Sequence, residues 1–272
     1  MIKRIMGIGA GRMYEACCAL SFDKFLQPAI SETHIVSVYS FVTLTEQFHK
    51  CGIDTTGFVF YRDREIIDQY KLSNWRTNET ATDTWYQQQG VKLGLLDYLG
   101  SDVLFQDVDV FAIKPYKFFD NAQPVFRTED VWNEHHSIYN QHVEKLIGLK
   151  RTSNESYVTE FMPYLQKDWQ SLRTLIETRH NTTWTEAIRN LAPFDETMWL
   201  SEYELLGIYK NATDSDNYQY IKDIMPQFHR IEQLEDFNWH NANVVKFKDR
   251  PLKYMDEQDS LTIIDYFKRI TA

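Results

Sequence analysis

A chain of 272 residues is long enough for one α/β domain with an added subdomain and short for two large domains. With 43% apolar and 25% charged residues it falls among ordinary globular proteins and outside the disordered class. A net charge of −10 excludes general adhesion to nucleic acid or to an anionic membrane surface, since both reward positive charge.

The opening M-I-K-R-I-M-G-I-G-A-G-R breaks its short apolar run at Arg12 and does not read as a signal peptide. Arg4 to Ile8 is a strand, Met13 to Leu26 a helix, and His34 to Tyr39 a second strand. Leu44 to Lys50 is helical, Gly57 to Tyr61 a third strand, and Arg64 to Tyr70 a short helix. Thr84 to Leu99 is an amphipathic helix with Trp85, Val91, Leu95 and Leu99 on one stripe. Asp102 to Phe105 is a fourth strand. Alternation of strands and helices predicts an α/β fold with a parallel or mostly parallel sheet.

After Pro115 the pattern changes. Pro124 to Arg127 reads as a strand and Asn133 to Leu149 as partly helical, with His135 and His136 in a surface loop. Helices follow at Leu165 to His180 and Trp184 to Leu191, then an acidic helical segment at Met198 to Tyr209. Asn211 to Asn217 reads as a loop, and Asp259 to Ile270 as a last amphipathic helix. No apolar run of about 18 residues occurs, so no membrane span is expected and the chain reads as cytoplasmic. Cys17, Cys18 and Cys51 then read as reduced thiols. The Asn-x-Ser/Thr triplets at Asn78, Asn154, Asn181 and Asn211 read as chance matches. No linker divides the chain, which predicts a single domain over 1–272, with a nucleotide-binding half at 1–120 and an acceptor-side half at 121–272.

The fourth strand runs straight into Asp107 and Asp109, in S-D-V-L-F-Q-D-V-D-V-F-A-I-K-P-Y. In open α/β sheets, ligands bind at the carboxyl ends of strands. Residues i and i+2 of an extended chain share a face, so both carboxylates can meet one object. Mg²⁺ or Mn²⁺ is that kind of object, taking oxygen ligands and completing its shell with water and phosphate. The plain alternative is a turn with two solvated acids. The first loop, G-I-G-A-G-R, lacks the third glycine of a dinucleotide fingerprint. It reads as a tight strand-to-helix turn in which Gly9 and Arg12 approach the phosphates of a nucleotide.

W-Y-Q-Q-Q-x-x-K-L at Trp85 to Leu93, followed by D-x-D-x-F-x-I-K-P at Asp107 to Pro115, resembles glycosyltransferases of the GT-A fold. The similarity is strongest to a bacterial and phage group that also carries Ser-Glu-Tyr-Glu, present here at Ser201 to Glu204. It spans Trp85 to Tyr209, while the first 80 residues lack the I-P-T-Y-type opening of that fold. The resemblance implies a Rossmann-like mixed sheet flanked by helices, with a helical C-terminal acceptor region. It also implies transfer of a sugar from a nucleoside diphosphate, UDP foremost, to a glycan hydroxyl with Mn²⁺ or Mg²⁺ as cofactor.

Carried onto this sequence, the resemblance makes Asp109 a direct metal ligand and Asp107 a ligand of the metal or the donor ribose. It places Lys92 with Gln88 or Gln89 beside the donor. Glu202 and Glu204 become the candidate acceptor-side carboxylates. On a helix they diverge by about 200°, so only one can face a given pocket. His229, or else His240, becomes a further metal ligand, with Arg230 beside the former for a phosphate. Three other readings stay open. One is a phage DNA glycosyltransferase acting on 5-hydroxymethylcytosine, with a groove of Lys145, Lys150, Arg151 and Lys167 offsetting the acidic balance. The others are a nucleotidyltransferase and a non-catalytic nucleotide-sugar-binding module.

Overall fold

A computed structural model describes residues 2–75, 81–120, 123–128, 134–152, 156–159, 161–191, 200–215, 218–222, 227–228, 242, 244–247 and 255–271. Its strands are β1 (Lys3–Ile8), β2 (Leu26–Gln27), β3 (Glu32–Ser37), β4 (Phe58–Arg62), β5 (Val103–Gln106), β6 (Val110–Ala112), β7 (Tyr116–Lys117), β8 (Phe119–Asp120), β9 (Gln123–Thr128), β10 (Phe161–Tyr164), β11 (Gln219–Lys222), β12 (Gln227–Phe228) and β13 (Val244–Phe247). Its helices are α1 (Met13–Leu20), α2 (Phe41–Lys50), α3 (Asp63–Gln69), α4 (Ala81–Leu99), α5 (Glu134–Ile147), α6 (Gln166–His180), α7 (Trp184–Leu191), α8 (Glu202–Asp214) and α9 (Glu257–Ile270). The architecture is α/β, with parallel strands flanked by helices. The elements gather into two compact units: Met1–Arg62, Gln106–Phe118 and Ile224–Ala272 form the first, Asp63–Phe105 and Phe119–Asp223 the second.

In the first unit β1, β3 and β4 run parallel, with Met6 beside Ile35 and Ile35 beside Phe60. Parallel strands covered on both faces read as apolar runs rather than alternations, which fits Ile5, Met6, Ile35 and Val36, all buried. α2 begins at Ser40, whose hydroxyl accepts from the Thr43 amide at 3.1 Å and so satisfies one orphan donor of the first turn. β6 pairs antiparallel with β13, Val110 opposite Lys246. α9 opens with a reciprocal cap between Asp256 and Asp259 and buries Ile263, Ile264 and Phe267. The Phe267 ring packs edge-on against Phe111 at 5.0 Å and Phe22 at 6.1 Å, and Phe22 stacks on Phe111. Each such buried side chain contributes about 1.5–3 kcal/mol.

In the second unit β9 pairs antiparallel with β8 and parallel with β11. β5 lies beside β10. Trp169 of α6 is fully buried, with its indole N–H donating to Asp97 of α4 at 2.8 Å and its ring edge-on to Trp184. Lys210 of α8 is 1% exposed, and its ammonium donates to Asp168 at 2.8 Å and Asp214 at 2.6 Å. A charge this deep requires such partners, because desolvation alone costs several kcal/mol.

Some expectations differ from the structure. α1 stops at Leu20, where the Ser21 hydroxyl bonds back to the Cys17 carbonyl, and Asp23–Phe25 forms a separate 3₁₀ turn. α8 runs on to Asp214, through residues that read as a loop, because Asp214 meets Lys210 one turn back. His135 and His136 fall within α5 rather than in a loop. β10 falls in a stretch to which the sequence assigned no element; it holds Pro163, and its four residues are all buried.

Candidate functional site

The carboxylate turn follows a strand with no exposed residue, since Val103, Leu104, Phe105 and Gln106 are all buried. Asp107 and Asp109 are half-buried, while Val108 between them is 7% exposed and joins the core of the first unit. Through the turn the burial is uneven, with Val108 in the core and an aspartate on either side of it that keeps part of its surface. β6 then returns Phe111 to the aromatic cluster. Two half-buried carboxylates flanking one residue of a short turn offer only oxygen donors, which suits a hard divalent cation. Among the described residues no group of three or more His, Cys, Asp or Glu converges. Among the described residues, this turn therefore offers two ligands to a cation held here. His229, His240 and Arg230 lie outside the described residues.

The loop after β1 is the second feature of this unit. The Arg12 amide donates to the Gly9 carbonyl at 3.2 Å, closing the turn. Gly11 has φ +79°, a conformation that only glycine adopts cheaply, and its amide donates to the Tyr39 hydroxyl at 2.7 Å. Arg12 is half-buried, and its guanidinium meets Glu15 of α1 at 2.7 Å, where Glu15 is fully buried. Tyr39 was legible only as the end of an apolar strand. The strand stops at Ser37, whose hydroxyl accepts from the Tyr39 amide at 3.1 Å.

Within the second unit the structure joins the two other motifs. Lys92 of α4 donates to Glu202 at 2.6 Å and to the Tyr203 hydroxyl at 3.3 Å, and its ammonium lies 4.7 Å from the Tyr203 ring centre. The side chains are 11% and 2% exposed for Lys92 and Glu202, so this is a largely desolvated ion pair. Tyr203 in turn packs edge-on against Phe105 at the end of β5. Gln88 is exposed on α4, whereas Gln89 is 3% exposed and Gln87, donating to the Leu72 carbonyl, is 5% exposed.

Glu202 and Glu204 diverge, as the helical twist requires. Glu204 is fully buried, and its Oε1 accepts from the Ser156 hydroxyl at 2.9 Å, the Tyr157 amide at 3.2 Å and Arg151 at 3.5 Å. Burial pushes the Glu204 carboxyl above the ordinary carboxylate range, and Arg151, Ser156 and the Tyr157 amide oppose that rise. Burial also raises the Tyr139 hydroxyl, and the Glu202 and Glu204 charges add to the effect. Tyr139 carried no signal in sequence beyond aromatic character, and Tyr203 stood within Ser-Glu-Tyr-Glu without a role of its own. Arg151 has a side chain only 5% exposed, so it does not line a basic groove, and Lys150 meets Glu144 at 3.3 Å on the surface. Among the described residues no helix is long and apolar enough to cross a membrane.

Several solved structures share a similar course. Mouse xyloside xylosyltransferase 1 in its apo form aligns over 90% of this chain and 97% of its own, at 9% identity and a TM-score of 0.46. The galactosyltransferase LgtC in complex with donor and acceptor sugar analogs aligns over 97% and 95%, at 10% identity and a TM-score of 0.48. The bifunctional WbbM apo structure aligns over 98% of this chain and 51% of its own, at 9% identity and a TM-score of 0.49. No curated protein matches the sequence. Residues 19–264 match the family described as "Family of unknown function (DUF6492)", and since this is most of the chain, the protein belongs to that family.

Proposed function

We propose that the protein is a glycosyltransferase that moves a sugar from a nucleoside-diphosphate donor, a UDP-sugar foremost, to a glycan hydroxyl. The observation that carries the reading is the Asp107–Val108–Asp109 turn: two half-buried carboxylates flanking a buried valine at the end of a buried strand. The W-Y-Q-Q-Q-x-x-K-L and Ser-Glu-Tyr-Glu motifs support the same reading because, within the second unit, they meet through Lys92 and Glu202. In this reading Asp107 and Asp109 hold Mn²⁺ or Mg²⁺, with His229 as a candidate third ligand. When bound, the cation supplies charge neutralisation for the diphosphate.

The chain's own residues then have separate tasks. Asp107 also serves the donor ribose. The Gly9–Arg12 turn approaches the donor phosphates, and the Arg12 guanidinium would have to leave its 2.7 Å contact with Glu15 to reach them. Lys92 supplies a positive charge beside the donor, with Gln88 and Gln89 on the same helix, and Glu202 fixes the direction of that charge. Glu202 and Glu204 remain the carboxylates proposed for the acceptor side, where one would take the proton of the attacking hydroxyl. For Glu202 that requires Lys92 to move off its 2.6 Å contact.

Donor-induced thermal stabilisation tests the proposal. UDP-, GDP-, CMP- and dTDP-sugars are each added with and without Mn²⁺, since a ligand that binds only the folded state raises the melting midpoint. The expected outcome is a rise with one nucleotide family that needs Mn²⁺ and is absent in Asp109→Asn. An equal rise without metal, or an undiminished rise in Asp109→Asn, would remove the turn from the donor site.

A further inference from the structure

Directly beneath the carboxylate turn, and inside the first unit, lies a buried arginine. Arg4 of β1 is fully buried. Its guanidinium donates to both carboxylate oxygens of Asp23, at 2.7 Å for Nη2 and Oδ2, and to the Thr33 hydroxyl at 2.8 Å. The fourth bond runs from Nη1 to the side-chain oxygen of Gln106, at 3.1 Å. Gln106 is 1% exposed, and its amide nitrogen donates to the Val110 carbonyl at 3.1 Å.

This geometry has only one solution. A guanidinium has donors and no acceptor, so Gln106 must turn its oxygen toward Arg4. Its NH₂ group is then aimed the other way, at the carbonyl of the first residue after the turn. One side chain thereby spans Asp107, Val108 and Asp109 and fixes both ends of the segment. Val108 and Phe111 pin the same segment from the core side. The backbone that carries the two aspartates is thereby held at both ends and in the middle.

We propose that Gln106, oriented by Arg4, is a positioning residue that sets the spacing of the Asp107 and Asp109 carboxylates for gripping a divalent cation. The proposal rests on the metal-site reading of that turn. It assigns Arg4 a role at a distance: its bidentate bond to Asp23 and its bond to Thr33 hold the guanidinium still, and the guanidinium selects the Gln106 amide orientation. Outer-shell partners of this kind are worth roughly 10–100-fold in metal affinity.

The test is Mn²⁺ binding by the whole chain, read from the loss of the free-ion paramagnetic resonance signal at one fixed UDP concentration. Four proteins are compared: native, Asp109→Asn, Gln106→Glu and Gln106→Met. Gln106→Glu keeps an acceptor for Arg4 but sets a carboxylate oxygen against the Val110 carbonyl. Gln106→Met keeps the length and loses both bonds. Both are expected to bind Mn²⁺ roughly 10–100-fold more weakly, with excess Mn²⁺ restoring the bound form. Both Gln106 variants are expected to melt lower without metal, since each loses the buried bond to Val110, so binding is read at a temperature where all four proteins are folded, which separates positioning from general destabilisation. Native-like Mn²⁺ affinity in both Gln106 variants, with Asp109→Asn defective, overturns the brace alone. Affinity that falls only in step with the melting midpoint also overturns it. Native-like affinity in Asp109→Asn overturns the metal site, and the brace with it.

Discussion

At the scale of single residues, the Lys92–Glu202 pair is the sharpest feature of the second unit. Both side chains are largely withdrawn from water, so their attraction acts in a weakly screened setting. Removing one member of such a pair costs more than the pair contributes, because the survivor stays buried. Lys92→Met is therefore expected to lower stability by about 3 kcal/mol, and Lys92→Met with Glu202→Gln to recover part of it. Urea unfolding of the two single variants and the double variant measures that coupling. Additive losses would show that the two residues act independently. The sequence made both residues candidates through separate motifs but could not pair them, since they lie 110 positions apart. Arg4 was less legible still: it read as one residue of the first strand, and nothing local shows that it is fully buried.

At the scale of elements, α8 is held by its own lack of a side chain. A Cβ at Gly207 would lie 2.3 Å from Cγ of Tyr157, so the helix meets that ring through bare backbone. The same Tyr157 offers its amide to Glu204, one turn earlier on α8. Gly207→Ala is accordingly expected to destabilise the protein by about 1–3 kcal/mol, the usual cost of overpacking, despite alanine's better helix propensity. A melting midpoint unchanged or raised would show that Tyr157 can move aside. Most elements were legible from period alone: α2, α3, α4, α6, α7 and α9 sit within a few residues of their expected places. The losses have physical causes. β6 is short and lies in an apolar run that carries no alternation, and β13 is only four residues long and broken by Lys246. β10 contains a proline, and Asn211 to Asp214 looks like loop until Asp214 is seen to meet Lys210.

At the scale of the whole chain, the first unit is assembled from three separated segments. Its core combines Met6 and Ile35 from the parallel strands, Phe111 from beyond the carboxylate turn, and Val245, Ile263 and Phe267 from the last segment. A fragment of residues 1–120 keeps the D-x-D turn but loses Ala242, Val245, Met255, Ile263, Ile264 and Phe267 from that core. Such a fragment is expected to show no cooperative melting and to bind a hydrophobic dye, as loosely packed states do. A sharp melting transition in the fragment would show that the last segment is dispensable for the fold.

The contact between α1 and α9 also has a consequence in time. The Cys18 thiol and the Ser260 carbonyl, 3.8 Å apart, are separated by 242 positions in sequence. Synthesis at about 5–20 residues per second leaves α1 waiting on the order of tens of seconds before its partner helix emerges. During that interval the apolar face carrying Ala16, Cys17, Ala19 and Leu20 has no α9 to cover it. Such a nascent chain is a natural client for chaperones that shield apolar surface at the ribosome, and its yield should depend on their supply.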